Sequence, residues 1–179
     1  MNPNPSDESP GSSETRERFV ERAMEEFESA LIGYAATILH DIDLARDVAQ
    51  DTFLRLCEQE PAKVEKQLKA WLFTVCRNRA LDVLRKQRRV EPIDEVRWKK
   101  VAGNEMRPDE TLHQRERLEK ASALLDRLTE NQREVIILKF QQGLSYREIS
   151  EVTGLSTGNI GFLIHTGLKR MRDLLPADL

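Results

Sequence analysis

The strongest constraint on the fold lies in residues 129–172, where signals that end and begin helices interrupt stretches of helical apolar spacing. Gly143 is expected to end the first helix, because glycine readily takes the left-handed backbone conformation found at helix C-termini. Ser145 and Glu148 follow, three residues apart, in the capping-box pattern that opens a helix. The segment therefore predicts consecutive helices with a sharp boundary between them.

A second boundary follows at residues 153–155, where Gly154 predicts a tight turn and Ser156 can cap the helix that comes next. That helix carries apolar residues such as Ile160 and Ile164 at helical spacing. Two short helices joined by a glycine-containing turn form a helix-turn-helix, whose second helix lies in the major groove of DNA. A helical hairpin that only packs within the protein is the alternative, but three boundary signals in order favour DNA binding.

Length and composition limit the classes of protein. A chain of 179 residues fits one or two small domains, and its 33% charged residues are typical of soluble helical proteins. No apolar run approaches the roughly 18 residues that cross a bilayer, and the N-terminus lacks the features of a signal peptide. Cys57 and Cys76 form no C-x-x-C pair, so we expect no metal site, no disulfide and a cytoplasmic location.

The distribution of charge matters more than its total. The net charge of −3 argues against nucleic-acid binding when taken alone. Residues 1–60, however, hold 5 basic and 14 acidic side chains, whereas residues 61–90 hold 9 basic and 2 acidic ones. Phosphate binding requires a local positive field and not a positive total, so the basic segment predicts a nucleic-acid contact.

The apolar pattern predicts the remaining organisation. Residues 1–14 are rich in Pro, Ser, Asn and acidic residues, which predicts a disordered tail. Amphipathic spacing predicts helices over about residues 14–40, 44–59 and 66–89. The periodicity is then lost at residues 91–110, a segment with two prolines and a glycine that we interpret as a flexible linker. The predicted fold class is all-α.

Two small helical domains follow from this pattern. They span residues 15–90 and 111–179, and the second one ends in the helix-turn-helix. The exposed face of the second predicted helix is acidic and polar, which suits a protein partner. The basic face of the third suits a DNA strand or backbone. Two DNA contacts joined by a linker gain affinity from effective concentration.

Three segments together resemble a known family. DLARDVAQDTFLRL at 43–56, AWLFTVCRNRALDVLRKQRR at 70–89 and the helix-turn-helix at 128–172 occur in the order found in bacterial sigma factors. The size and two-block layout resemble the extracytoplasmic-function (ECF) group of the sigma-70 superfamily. Its members bind core RNA polymerase and direct promoter recognition and transcription initiation.

The resemblance implies three contact surfaces and no catalysis by the protein itself. The second helix would dock on the clamp helices of the largest polymerase subunit through Asp47, Gln50, Asp51 and Leu54. The basic third helix would engage the −10 promoter element through Arg77, Asn78, Arg85, Lys86, Arg88 and Arg89. The helix-turn-helix would read the −35 element through Tyr146, Arg147, Ser156, Thr157, Asn159, Phe162, Thr166 and Lys169. Residues 15–90 would be region 2, and residues 111–179 would be region 4.

One segment departs from the family pattern. Where a sequence near K-S-R-L-H-R is usual, residues 161–166 read GFLIHT, with no positive charge until Lys169. Arginine and lysine are the usual readers of guanine. Phe162 or Thr166 could instead meet thymine methyl groups, with Asn159 available for adenine. Alternatively, Phe162 and its neighbour Leu163 could form an apolar patch for a protein such as an anti-sigma factor.

Three functions remain open at the level of sequence. The first is a sigma factor, with core polymerase, promoter DNA and an anti-sigma factor as partners. The second is a regulator of the response-regulator output type, which would carry a receiver or ligand-binding domain in place of the helices of residues 15–90. The third is an interaction protein, such as a sigma mimic that sequesters an anti-sigma factor. An enzyme is not expected, because no P-loop, paired metal-ligand motif or nucleophile motif is present, and no cofactor is implied.

Overall fold

The computed structural model describes residues 10–90 and 123–174, with side chains described from residue 16 onward except those of Arg88 and Val90. These residues fall into two compact units, on either side of the boundary between Val101 and Ala102. All regular elements in the described ranges are helical, which confirms the predicted all-α class. No helix in these ranges is long and apolar enough to cross a membrane.

The first unit, which we call unit 1, consists of three long helices and a short connection. Helix α1 covers Pro10–Leu39 and α2 covers Ile42–Cys57. The short helix α3, Pro61–Val64, continues into a 3-10 helix at Glu65–Gln67, and α4 then runs over Leu68–Val90. Helix α1 begins at Pro10, so its first turns lie within the segment that the composition assigned to a disordered tail.

The turn between α1 and α2 is determined by local backbone conformation and capping. His40 has a left-handed backbone conformation, with φ of 54°, which ends α1. Asp41 then caps α2, because its carboxylate accepts hydrogen bonds from the backbone N–H groups of Asp43 and Leu44 at 3.0 and 3.1 Å. The chain therefore reverses within three residues and brings α2 back against α1.

The core of unit 1 lies where α1, α2 and α4 contact one another. Its largest fully buried side chains include Leu31, Tyr34, Leu56 and Phe73. The rings of Tyr34 and Phe73 meet edge to face, with centroids 5.2 Å apart. Burial of each such side chain contributes roughly 1.5–3 kcal/mol, so this cluster fixes the positions of all three helices.

The second unit, unit 2, contains the predicted helix-turn-helix. After a helical turn at residues 123–125, α5 covers Glu130–Ile136 and continues as a π-helix at Ile137–Gln141. Helix α6 covers Tyr146–Thr153, and α7 covers Thr157–Asp173. Buried residues of these helices, together with Leu144 just before α6, form the core, namely Val135, Leu138, Leu144, Ile149, Ile160 and Ile164.

The boundary signals of unit 2 are confirmed in position. Gly143 and Gly154 both have left-handed backbone conformations, with φ of 68° and 74°. Ser145 and Glu148 form the reciprocal capping box at the start of α6, and Ser156 caps α7. These local bonds hold α6 and α7 in the helix-turn-helix arrangement. The predicted linker at 91–110 lies outside the described residues, as does most of residues 111–128, where apolar spacing predicts a further helix.

Candidate functional site

The outer face of α2 carries a short polar row with one apolar residue in it. Asp47 and Gln50 are exposed, and 58% of the surface of Leu54 is exposed. These positions are three and four residues apart, so their side chains share one helix face. The structure thus brings three of the four residues predicted for partner docking onto one surface, which offers a carboxylate, an amide and an apolar contact.

Asp51, the fourth of these residues, is linked to α4. It is half-buried, and it forms an ion pair with Arg79, whose Nε donates to Asp51 Oδ2 at 3.1 Å. Because both side chains keep partial contact with water, the pair contributes about 1 kcal/mol or less to stability. Arg79 was missed in the sequence, since no local pattern pairs it with a residue 28 positions away.

The C-terminal half of α4 forms a basic surface. The side chains of Arg79, Arg85, Lys86 and Arg89 line a shallow depression together with one carboxylate, that of Asp82. Arg85 Nη1 donates to Asp82 Oδ1 at 2.7 Å and Arg79 is paired with Asp51, so two of the four positive charges are partly offset. The excess of cations leaves a local positive field suited to the phosphates of nucleic acid.

The other residues predicted for this surface differ in their exposure. Asn78 is exposed and lies seven and eleven residues before Arg85 and Arg89, so the three side chains share a helix face. Arg77 is half-buried, at the edge of the basic face. The side chain of Arg88 lies outside the described residues. The amide of Asn78 therefore accompanies the basic side chains on one side of α4.

The exposed face of α7 is mostly uncharged. Gly158, Phe162, His165 and Lys169 follow one another at spacings of four, three and four residues, which places them on one face. All four are exposed, and 64% of the surface of Phe162 is exposed. The predicted base-reading residues Thr157 and Asn159 are exposed at the N-terminal end of the same helix.

Tyr146 connects α6 to the flank of α7. A Cβ atom placed on Gly161 would lie 3.6 Å from Tyr146 Cε2, so the ring covers the backbone of α7 at this point. Lys139 Nζ lies 5.4 Å from the centroid of the same ring and donates to the carbonyl of Leu144 at 3.2 Å. The predicted DNA contact Tyr146 is exposed, and it also supports the position of α7.

Three predicted −35 residues have partners inside the protein. The hydroxyl of Thr166 accepts a hydrogen bond from Gln132 Nε2 at 3.1 Å and donates to the carbonyl of Phe162 at 2.9 Å. Ser156 Oγ accepts from the backbone N–H of Asn159, as the N-cap of α7. Arg147, which is exposed, pairs with Glu151 at 3.4 Å. The hydroxyls of Thr166 and Ser156 therefore stabilise the helix-turn-helix itself.

Comparison with known proteins assigns both units. The protein-family model for sigma-70 region 2 matches residues 23–90, and the family model for sigma-70, region 4, matches residues 118–171. The ECF RNA polymerase sigma factor EcfG of Rhodopseudomonas palustris (strain TIE-1) is 32% identical over 151 residues, which cover 83% of this chain and 81% of that protein. This chain belongs to the ECF sigma factors.

Another relative and a solved structure agree with this assignment. The ECF RNA polymerase sigma factor RpoE of Cereibacter sphaeroides is 34% identical over 137 residues, covering 72% of this chain and 70% of that protein. The sigma factor RpoE in a co-crystal structure with the anti-sigma factor NepR from Bartonella quintana superimposes with a TM-score of 0.63 at 24% identity, covering 89% of this chain and 98% of that one. The latter similarity shows a common fold.

The family match excludes one of the functions left open by the sequence. Residues 23–90 match region 2 of sigma-70, which excludes the receiver domain required by a regulator of the response-regulator output type. The ECF sigma factor therefore acts with RNA polymerase in promoter recognition. Unit 1 contains region 2 and unit 2 contains region 4.

The cysteine thiols of this sigma factor belong to different environments. Cys57 is exposed near the end of α2, whereas Cys76 is fully buried in α4. Burial raises the pKa of Cys76 to about 12, although a hydrogen bond with Thr52 lowers it. A thiol with so high a pKa stays protonated and packs as a small apolar side chain.

Among the described residues, no group of His, Cys, Asp and Glu side chains could hold a metal ion.

Proposed function

We propose that this ECF sigma factor binds core polymerase through α2, engages the −10 element with α4 and reads the −35 element with α7. The observation that carries the proposal is that unit 1 presents two surfaces of different chemical character. An acidic and apolar face on α2 and a basic face on α4 suit two partners of opposite character. Region 2 would extend over residues 15–90, and region 4 over residues 111–179, after a tail at 1–14 and a linker at 91–110. The protein itself catalyses no reaction and works in the cytoplasm.

The polymerase contact is assigned to the clamp helices of the largest subunit. Leu54 is the apolar member of the exposed row on α2, one turn after Gln50 and two turns after Asp47. Burial of an exposed leucine on binding contributes up to roughly 1.5–3 kcal/mol, whereas rim charges mainly fix orientation and association rate. Leu54 is therefore the residue whose loss weakens polymerase binding most.

Asp51 has a different role in this proposal. Since its carboxylate is paired with Arg79, it holds α2 at a fixed register against α4 and orients the docking row. It is a positioning residue for polymerase binding, and Arg79 shares that role. Replacement of Asp51 by arginine would place two cations next to each other and disturb unit 1 itself, so Asp47 is the cleaner position at which to probe docking.

The −10 contact is assigned to Arg77, Asn78, Arg85, Lys86, Arg88 and Arg89. The basic depression supplies charge for the phosphates, and the exposed amide of Asn78 can form hydrogen bonds with a base. Each phosphate contact that releases a counterion contributes a slope of about −0.7 to −0.9 to the dependence of log affinity on log salt. Binding through α4 is therefore expected to weaken steeply with salt.

The −35 contact is assigned to α7 and to the start of α6. The predicted contacts with exposed side chains on these elements are Tyr146, Arg147, Thr157, Asn159, Phe162 and Lys169. Ser156 and Thr166 act by holding α7 in shape, because their hydroxyls are bonded within unit 2. An anti-sigma factor is a further proposed partner, suggested by the fold shared with the Bartonella quintana sigma factor in its complex with NepR.

The proposal is tested by run-off transcription with sigma-free core polymerase on a library of genomic fragments. The wild-type chain is compared with Leu54→Asp and Asp47→Arg, and with Glu25→Arg as the control, which makes the same acid-to-arginine change at an exposed position of α1. We expect promoter-dependent transcripts that Leu54→Asp abolishes, Asp47→Arg reduces and Glu25→Arg retains. Core binding without transcripts would favour the sigma-mimic alternative, and absence of core binding would refute the assignment of α2.

The positioning role of Asp51 is tested by exchanging its charge with that of Arg79. Asp51→Arg alone is expected to lower both the stability of unit 1 and core binding. The double variant Asp51→Arg/Arg79→Asp restores the pair, and it should recover most of the binding if Asp51 acts through Arg79. A double variant that is stably folded but still fails to bind core would show that Asp51 contacts the polymerase directly.

A further inference from the structure

Phe162 is the most exposed of the large apolar side chains that the structure describes. Its exposed fraction of 64% exceeds that of Phe140 at 59% and of Leu54 at 58%. The ring lies at the centre of the outer face of α7, one turn after Gly158 and one turn before His165. An aromatic ring at this place in a recognition helix points toward whatever the helix binds.

The charges of α7 are confined to its C-terminal end. From Thr157 to Leu168 the helix carries no Asp, Glu, Lys or Arg side chain, and Lys169, Arg170 and Arg172 follow. In helix-turn-helix proteins the N-terminal part of the recognition helix faces the base edges. The base-facing half of α7 is therefore uncharged, while its basic end can meet phosphates.

The glycines of α7 differ in what the fold requires of them. A Cβ atom on Gly167 would lie 2.7 Å from Ile136 Cδ1, so packing against α5 excludes a side chain there. A Cβ atom on Gly158 would meet nothing within 4 Å. Glycine is among the least favourable residues in a helix, and the packing of unit 2 does not require it at position 158. Its absent side chain leaves space beside Phe162 for the close approach of another surface.

We propose that Phe162 selects thymine in the −35 element by contact with its C5-methyl group, an inference that rests on the proposed function of α7. Thymine alone among the four bases presents a methyl group in the major groove, and apolar side chains contact it there. Asn159, exposed one turn earlier on the flank of the same face, has the amide that pairs bidentately with adenine N6 and N7. The base pairs facing this half of α7 are therefore A·T pairs.

Guanine is the base that this surface is least equipped to read. Its recognition in the major groove relies on arginine or lysine donors to O6 and N7. The first such side chain on α7 is that of Lys169, seven residues and about two turns after Phe162. An apolar patch for a protein partner is the competing explanation for Phe162, and it predicts no dependence on the base opposite.

The first experiment uses the full chain with core polymerase on templates that have a fixed −10 element and a randomised −35 region. Sequencing of the transcribed templates should give a −35 consensus dominated by A·T pairs with at least one invariant thymine. A consensus dominated by guanine, or active promoters with no −35 preference, would overturn the inference while leaving the sigma function intact. Failure to transcribe any template would refute the proposed function, and with it the inference.

The second experiment removes the methyl group and the ring separately. Each −35 thymine is replaced by uracil, which lacks only the C5-methyl, and the competition between the two templates is measured for the wild type and for Phe162→Ala. One position should favour thymine by about fourfold in the wild type, the equivalent of ~0.8 kcal/mol for one buried methyl-sized group. Phe162→Ala should bring that ratio to about one.

Phe140→Ala is the matched control, because it removes an equally exposed phenylalanine of unit 2 from outside α7. It should retain the wild-type ratio of thymine to uracil. A ratio that stays at fourfold in Phe162→Ala, or that is near one at every position in the wild type, would overturn the assignment of Phe162 and favour a protein partner for this face. Circular dichroism of Phe162→Ala verifies that α7 is intact.

Discussion

Two glycines of α7, Gly161 and Gly167, should respond with opposite signs to the same substitution. Alanine is favoured over glycine in a helix interior by about 1 kcal/mol. At Gly161 the added methyl group would lie 3.6 Å from Tyr146 Cε2, an ordinary van der Waals contact. Gly161→Ala should therefore stabilise unit 2 by about 0.5–1 kcal/mol, through helix propensity and a less flexible unfolded chain.

At Gly167 the same methyl group has no room. It would lie 2.7 Å from Ile136 Cδ1 and 3.4 Å from Gln132 Cβ. Ile136 is buried, so its Cδ1 must shift within the core to admit the methyl group, and Gln132 is hydrogen-bonded to Thr166. Overpacking of this kind costs about 1–3 kcal/mol, which exceeds the gain in helix propensity. Gly167→Ala should thus destabilise unit 2 by about 1 kcal/mol, a difference of about 2 kcal/mol from Gly161→Ala.

Native-state hydrogen exchange of the full chain measures both effects in one protein. The amides of α7 report the stability of unit 2, and those of α4 serve as the internal reference, because neither substitution touches unit 1. Protection of α7 should rise in Gly161→Ala and fall in Gly167→Ala, while that of α4 stays constant. Equal shifts in the two variants would refute the argument, since helix propensity alone would then determine the outcome.

Further predictions concern the thiols, the caps and the charges. In native protein only Cys57 should react rapidly with a thiol reagent, and Cys76 should react after denaturation. The pKa of Cys76 is raised to about 12 in the folded state, so the stability that its neutral thiol contributes is complete below pH 9 and is lost between about pH 9 and 12. The free energy of unfolding of Cys76→Ala, measured by urea titration, should lack this loss between pH 9 and 12. Ser145→Ala should destabilise unit 2 by about 1 kcal/mol through loss of the capping box, as measured by the protection of α6 amides, and unchanged protection would contradict it. Arg89→Ala should reduce the salt slope of promoter binding by about one, whereas an unchanged slope would mean that Arg89 contacts no phosphate.

The elements most accurately predicted from the sequence are those set by local chemistry. Gly143 acts through its own backbone conformation, and Asp41 and Ser145 act through hydrogen bonds to residues two or three positions away, so their effects can be recognised in the chain itself. The family resemblance rests on the same advantage, since its motifs are contiguous segments. Both the helix-turn-helix and the identity of the sigma factor followed from such segments and are confirmed.

Contacts between segments that are distant in the chain could not be predicted from local sequence patterns. Helical spacing over residues 66–89 predicts a core stripe that includes Trp71 and Val75 and omits Phe73. In α4, Trp71 and Val75 are half-buried, whereas Phe73 is fully buried against Tyr34. Helix α4 packs against both α1 and α2, so its buried face is wider than the stripe of an ordinary surface helix. The relative rotation of three helices depends on all of their side chains together, which periodicity in one helix does not specify.

The same limit explains the mixed result for the candidate site. The exposure of Asp47 and Gln50 could be predicted because they lie on a polar helix face. That of Phe162 could be predicted because this residue falls outside the apolar stripe of its helix. The engagement of Asp51 with Arg79 and of Thr166 with Gln132 could not, since each pair joins different helices across 28 and 34 positions. Tertiary contacts thus determine which of the residues expected at the surface from a helical pattern can bind a partner. The others form contacts within the protein that fix the positions of the helices.

The two proposed DNA contacts differ in physical character, and this difference bears on how a promoter is chosen. The surface of α4 would bind through Arg85, Lys86 and Arg89, whose contribution would come from counterion release and fall steeply with salt. Phe162 and Asn159 of α7 release no counterions, so their discrimination between bases depends little on salt. The charge of unit 1 would therefore determine the overall affinity of the sigma factor for DNA. The base contacts of α7 in unit 2 would determine which −35 sequence it prefers. It follows that the preference for thymine should persist at salt concentrations that weaken binding overall.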